Sequence, residues 1–495
     1  MKILNRFKDQ SHIQTILEYI TLFLISFLFV LIFALWESPL YPHWYGCDAS
    51  FFSMVGRAIT KGMVPYRDFF DLKGPYFFFI QALGQWIHVG RLGTFITEVI
   101  FFYFSLILLY LLANLYLPKR KSLIVLIFFL VGHIATLWGG NTLEEFFLPL
   151  NLLCLFLLVR FLKPGHKEVW ELPSGYALLF GICLGLFLFS KITVGAPLLG
   201  IIATIVFLDI IHQKYKQCFH FFIFLLLGLL LAILPVFFYF WYHNSLLEML
   251  YDVFVFATKR SRAYGDVFTP LWELKMIGTV FAFIFALSHK KELNSTLRIL
   301  LIGISAATYF ALHLGTPFIY YFTTCYPAML FALILFLDIY KPLILFRNLK
   351  QTICLLLLGS FLFFYIKEDL DTVNSFLTRK QDTWNRTYYE KANELASLIP
   401  EWEQDDVYCF WLDCTWFEAT GLLPCYKYQI NLQFFISLDP RIEDNIRSYL
   451  SDTPPKWIVA GKDFAEILPS LYDTVCEKYH CISENESGML YLLNE

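Results

Sequence analysis

The chain has 495 residues, is 58% hydrophobic and 19% aromatic, contains 54 Phe, and carries only 16% charged residues. A soluble core does not absorb that much apolar side chain, whereas a bilayer does, so an ordinary soluble domain is excluded. Formal net charge is −3, and no soluble segment shows a basic stripe interleaved with aromatics, so nucleic acid is not an expected partner.

The N-terminus, MKILNRFKDQSHIQT, is basic and runs into a long apolar stretch. A signal peptide has a short apolar region and a small-residue cleavage site; this segment has neither, so it reads as an uncleaved first span. A span needs about twenty mainly apolar residues. That rule predicts eleven, over 18–36, 94–117, 122–138, 145–162, 174–190, 193–210, 219–241, 270–287, 298–314, 319–338 and 351–366. Basic connections alternate with charge-poor ones such as GGNTLEE and GTPFIYY. The basic ones carry Lys119–Lys121, Lys163 and Lys167, Lys214 and Lys216, Lys290 and Lys291, and Lys341 with Arg347 and Lys350. Under the positive-inside bias this puts the N-terminus in the cytoplasm and the C-terminus outside a cell membrane.

Between the first two spans, residues 41–76 interrupt the apolar pattern with Asp48, Arg57, Lys61, Arg67, Asp68, Asp71 and Lys73. Ionisable groups beside a bilayer are costly to desolvate, which makes this cluster a candidate functional site. Asp48 has two open readings: a general base or cation ligand, and the N-cap of the helix that follows. Arg67 and Asp68 read first as a surface ion-pair network tying the loop to the headgroups. Lys73 precedes Gly74-Pro75 at the hydrocarbon edge, where an ammonium suits a phosphate. The fourteen-residue run 76–89 is short for a span and reads as a helix lying in the interface.

Further on, Glu144 and Glu145 read as helix-start acids capped by Asn141 or Thr142, or as substrate contacts. Lys191 sits in a nearly loopless hairpin and either snorkels or reaches a phosphate. Lys259, Arg260 and Arg262 break the positive-inside pattern, which points to an anionic ligand or headgroup. Tyr320 and Tyr321 read as interfacial aromatics with substrate contact as the second reading. His133, His243 and His313 have no carboxylate or His partner at i,i+4 and read as headgroup-level polar residues rather than zinc ligands.

Charge divides the chain. Residues 1–366 hold 27 Lys/Arg and 18 Asp/Glu, and residues 367–495 hold 11 and 23. We expect a polytopic α-helical membrane domain, 1–366, with a large first outer loop, 37–93, and a small extracytoplasmic α/β domain, 367–495. In the tail, 406–413, 456–461 and 488–495 have strand length, while 375–399 and 439–452 have helical periodicity, which suggests a partly parallel sheet. The eleven cysteines show no metal spacing; one bridge, Cys476–Cys481, is compatible with their positions.

These features resemble the GT-C superfamily of integral-membrane glycosyltransferases. The nearest branch is the one with lipid A aminoarabinose transferase and the protein mannosyltransferases. The resemblance rests on architecture over nearly the whole chain and on local motif over 41–93. The motif residues are Asp48, then Gly62-Met63-Val64-Pro65-Tyr66, then Lys73-Gly74-Pro75, then Arg91. It implies inverting transfer of a sugar from a polyprenyl-phosphate donor to a membrane lipid, glycan or protein acceptor, with Asp48 as base and Lys73 on the donor phosphate. Many relatives have consecutive Asp-Glu at the first position, and here Ala49 follows Asp48. A second carboxylate would come from Asp68, Asp71 or Glu144/Glu145, and a divalent-metal cofactor stays open. A flippase or polymerase of lipid-linked oligosaccharide is the alternative, but it needs charges deep in several spans, which look nearly charge-free. A scaffold using the acidic tail ranks third, because it leaves the charged first loop unexplained.

Overall fold

Nine described helices are long and apolar enough to cross a membrane. In the computed structural model, every residue is described except 1, 45, 164–166, 264–274, 315–317, 341–348, 379, 411–414, 430–431 and 495. The helices are α1 (Lys2–Phe33), α2 (Cys47–Thr60), α3 (Pro75–Ile87), α4 (Arg91–Asn114), α5 (Lys119–Leu137), α6 (Leu143–Leu162), α7 (Ser174–Leu188), α8 (Ala196–Ile211) and α9 (Tyr215–Tyr242). Beyond them lie Ile277–Ser288, Ser295–Leu312, Tyr326–Ile339 and Leu349–Thr378. All eleven expected spans have a helix. Two of these, α7 and Ile277–Ser288, are too short to count among the nine, whereas α8 and Tyr326–Ile339 count because their helical runs begin at Ile192 and Ile319. The start of the latter, expected from 270, lies partly outside the described residues, as does the basic connection with Lys341 and Arg347.

The chain divides into two compact units. One comprises residues 1–34, 98–235 and 266–374; the other comprises 35–97, 236–265 and 375–495. In the first unit, close helix packing is set by glycine. A Cβ at Gly181 of α7 would strike the Leu225 carbonyl of α9, and one at Gly228 of α9 would strike the Leu178 carbonyl of α7. Small residues let backbones approach where lipid gives no hydrophobic drive between helices. The α5–α6 connection is unusual: Trp138, Gly139, Gly140 and Asn141 all have positive φ, at 53°, 83°, 98° and 56°. Only glycine takes this conformation freely, so Trp138 and Asn141 sit there at a cost that the surrounding packing must offset.

The second unit holds the first loop and the tail. Helix α2 is buried all round over 49–58, including Phe51, Phe52, Met54 and Val55. Helix α3 starts at Pro75, which suits the first helical position because its missing N–H would be unpaired there anyway. It buries Phe77 and Phe78 and leaves Trp86 exposed. The tail sheet has the order β1-β2-β4-β3, with β1 Val407–Phe410, β2 Trp457–Ala460, β3 Tyr479–Asn485 and β4 Gly488–Leu493. β1 and β2 are parallel, and β4 is antiparallel to both its neighbours. Three strands and the helices Lys380–Ala396 and Arg441–Asp452 match expectation. β3 was not anticipated, because YHCISEN is mostly exposed and lacks apolar alternation. Cys476 and Cys481 are free thiols, so the bridge compatible with their spacing is not formed.

Candidate functional site

Asp48 is the second residue of α2, and Gly46 is the N-cap. The capping reading of Asp48 is therefore corrected by two positions. The carboxylate is exposed and sits in the first turn, where the positive end of the helix dipole favours an anion. It forms no hydrogen bond or ion pair with a described residue.

The turn after α2 is built around Tyr66, a fully buried non-glycine residue at φ 67°. Its N–H donates to Phe69 O at 2.9 Å, and its hydroxyl donates to Lys73 O at 2.6 Å. Arg67 and Asp68 form a two-pronged pair, both contacts 2.8 Å, and Asp68 also accepts Val64 N–H at 2.6 Å. The pair thus closes the loop locally. Asp71 is buried and accepts the Lys73 N–H at 2.7 Å; its Oδ1 lies 3.7 Å from Lys73 Nζ. Lys73 is thereby fixed through its carbonyl and its amide. Its ammonium stays a quarter exposed and lies 4.4 Å from the Phe52 ring centroid.

Arg91 donates to three main-chain carbonyls, Trp36 at 2.7 Å, Tyr41 at 2.8 Å and Leu35 at 3.3 Å. It binds the 35–41 stretch to the start of α4. Arg57 is buried and donates to Phe417 O and Leu422 O at 2.8 and 3.2 Å, which joins α2 to the tail. Burial lowers the pKa of its guanidinium, with nearby Glu418 opposing.

Two residues of this unit were missed in the sequence. Asp252, on a π-helical turn, is buried and pairs with Lys427 Nζ at 3.2 Å. Lys427 O accepts Phe70 N–H at 3.0 Å. Burial pushes the Asp252 carboxyl up to about 7; Lys427 opposes that rise and Asp71 reinforces it. The Tyr66 phenol is held well above its ordinary range by burial, then by Asp71 and Asp252. Asp71, Asp252, Lys427 and Tyr66 therefore form one electrostatic group beside Lys73. The Lys259 part of the anionic-ligand reading is also corrected. Its Nζ meets Tyr251 Oη at 2.8 Å and Asp439 Oδ2 at 3.2 Å, so an internal carboxylate supplies the anion. Arg441 completes that cluster and holds the Asp439 carboxyl well below its usual range.

The other unit holds a second polar group. Thr142 is the N-cap of α6, with Glu144 and Glu145 in the first turn, and both acids are buried. Glu144 Oε1 pairs with Lys191 Nζ at 2.6 Å, and that ammonium lies 3.1 Å from the Tyr321 ring centroid. Tyr320 stacks on Phe318 at 5.5 Å and meets Tyr321 edge-on. Glu145 interacts electrostatically with Glu98, whose Oε1 accepts the Asn141 N–H at 3.1 Å. The left-handed run at 138–141 is what presents that amide. His133 is fully buried, 3.0 Å from Thr136 Oγ1 and 3.9 Å from Glu145 Oε1. Its headgroup-level reading is therefore wrong: the packing of Phe29, Phe102 and Phe129 rings around it takes it out of reach of the surface. Glu98 was overlooked although an acid inside a span is itself a signal.

Among the described residues no three His, Cys, Asp or Glu side chains gather in an arrangement that would hold a metal ion.

No protein-family model and no curated protein matches this sequence. Solved structures do. The chain is similar to ArnT from Cupriavidus metallidurans bound to undecaprenyl phosphate, with TM-score 0.60, 11% identity, and coverage of 97% of this chain and 98% of that one. The apo state of the same protein gives TM-score 0.56 at equal identity and coverage. The Archaeoglobus fulgidus oligosaccharyltransferase in its apo form gives 0.50 at 13% identity, over 96% of this chain and 74% of that one. With its many apolar helices the chain is a multi-pass membrane protein, and along nearly its whole length it shares the fold of ArnT.

Proposed function

We propose that this protein is an inverting glycosyltransferase that moves a sugar from a polyprenyl-phosphate donor to a cell-envelope acceptor at the outer membrane face. The observation that carries the reading is the anchored, part-exposed ammonium of Lys73, on a chain whose fold matches ArnT bound to undecaprenyl phosphate. The acceptor hydroxyl attacks the anomeric carbon while Asp48 takes its proton. The bond from that carbon to the phosphate oxygen breaks, its electron pair stays on the phosphate, and Lys73 neutralises the growing charge. Asp71 orients Lys73. Arg67, Asp68 and Arg91 hold the loop in shape beside the donor. Glu144, Glu145, Lys191, Tyr320 and Tyr321 are further proposed substrate contacts.

The direct test is purified protein in liposomes with a sugar-labelled polyprenyl phosphate. Cleavage of the donor with label appearing on an acceptor supports transfer. Appearance of the intact labelled lipid in the opposite leaflet, without cleavage, would instead make the protein a flippase.

Orientation has its own test. Basic and charge-poor connections alternate along the chain, so accessibility probes at residue 120 and residue 430 are expected to report opposite sides, with the tail outside. Both probes on one side would overturn the shared outer placement of the first loop and residues 367–495.

A further inference from the structure

The strongest unassigned feature lies at the ends of α7, α8 and α9. A cleft of about 360 Å³ opens there, and Trp170, Ser174, Asp209, Lys216 and His220 line it. Asp209, near the C-terminus of α8, is only 1% exposed, and its Oδ1 has no hydrogen-bond partner among the described residues. A buried carboxylate oxygen left without a donor is costly, so the cleft invites a ligand that brings one. The opposite charge stands at the rim, where Lys216 is exposed and the His220 ring is held by Ser174 Oγ at 2.9 Å.

We propose that this cleft binds a phospholipid headgroup carrying both a primary ammonium and a phosphate, an ethanolamine phosphate. The ammonium meets Asp209, and the phosphate meets Lys216 and His220. Three observations narrow the ligand to that class. A hard divalent cation needs several oxygen ligands, and the cleft offers one carboxylate. A quaternary ammonium has no N–H to give Oδ1 and would leave that buried oxygen without a donor. The lipid tail has a path, because Phe219 and Ile223 line the cleft and are 68% and 46% exposed along an apolar helix. The inference is independent of the proposed sugar transfer.

Native mass spectrometry of the full-length protein, with phosphatidylethanolamine, phosphatidylcholine and phosphatidylglycerol added in turn, tests it. Phosphatidylethanolamine is expected to be retained about tenfold better than either of the others, a single charge-assisted contact being sufficient for that ratio. Asp209→Asn is expected to erase the preference. Displacement of the lipid by soluble O-phosphoethanolamine would show that the headgroup alone carries the recognition. Persistence of the preference against that competitor would show that the lipid anchor is needed, and either result supports the site. Equal retention of the three lipids, or an unchanged preference in Asp209→Asn, would overturn it. Should that variant misfold, Lys216→Glu at the exposed rim is the second probe: unchanged retention of phosphatidylethanolamine in a folded Lys216→Glu protein would equally sink the proposal.

Discussion

Asp48→Asn is expected to lower sugar transfer by about 10²–10⁴-fold while leaving the protein folded. The structure makes this substitution a clean one. Gly46 caps α2, so Asn at position 48 removes no cap, and the side chain is exposed with no described partner to strand. The structural loss is confined to the helix dipole, about 0.3–1 kcal/mol. Loss of a general base corresponds to several kcal/mol of barrier, so the two effects separate by size. Turnover of purified variant and wild type, alongside their thermal stability, decides the matter. Near-normal turnover would remove Asp48 as base and move the search to Asp71 or Glu144.

Lys73→Ala should depress kcat much more than it raises KM for the donor. A leaving phosphate gains charge on the way to the transition state, so a fixed cation stabilises that state more than the bound ground state. Alanine keeps the two main-chain groups that anchor this turn, the N–H to Asp71 and the carbonyl to Tyr66. What disappears is the ammonium alone. Lys61, exposed just past the end of α2, provides the control, and Lys61→Ala should change little. Small, equal effects from the two substitutions would remove Lys73 from the reaction.

How far the sequence carried these conclusions differs by level. Spans were legible because twenty apolar residues in a row have few other uses, and each expected span has its helix. Helix Tyr326–Ile339 starts later than its apolar run, since Ile319–Cys325 is a 3₁₀ turn and Pro327 favours the first helical turn. In the candidate site, the neighbours Arg67–Asp68 and Asp71–Lys73 were readable as local chemistry. Asp252–Lys427 and Lys259–Asp439 were not, because each joins residues some 180 positions apart and no local motif encodes such a pair. Arg91 was visible as a motif residue, yet its three carbonyl partners emerge only when the 35–41 stretch folds over it. Glu98 and Asp209 were within reach, as acids inside apolar runs, and were passed over because the surrounding hydropathy outweighed one charge.

Helix α7 has a consequence for the lipid rather than for the protein. Its 15 residues give a rod of roughly 22 Å, whereas the hydrocarbon of a typical bilayer is about 30 Å thick. A hydrophobic segment that is too short is matched by thinning of the membrane around it. The leaflets should therefore dimple beside α7, bringing the polar surface inward and shortening the distance a headgroup must travel to meet a charge set below the average membrane plane.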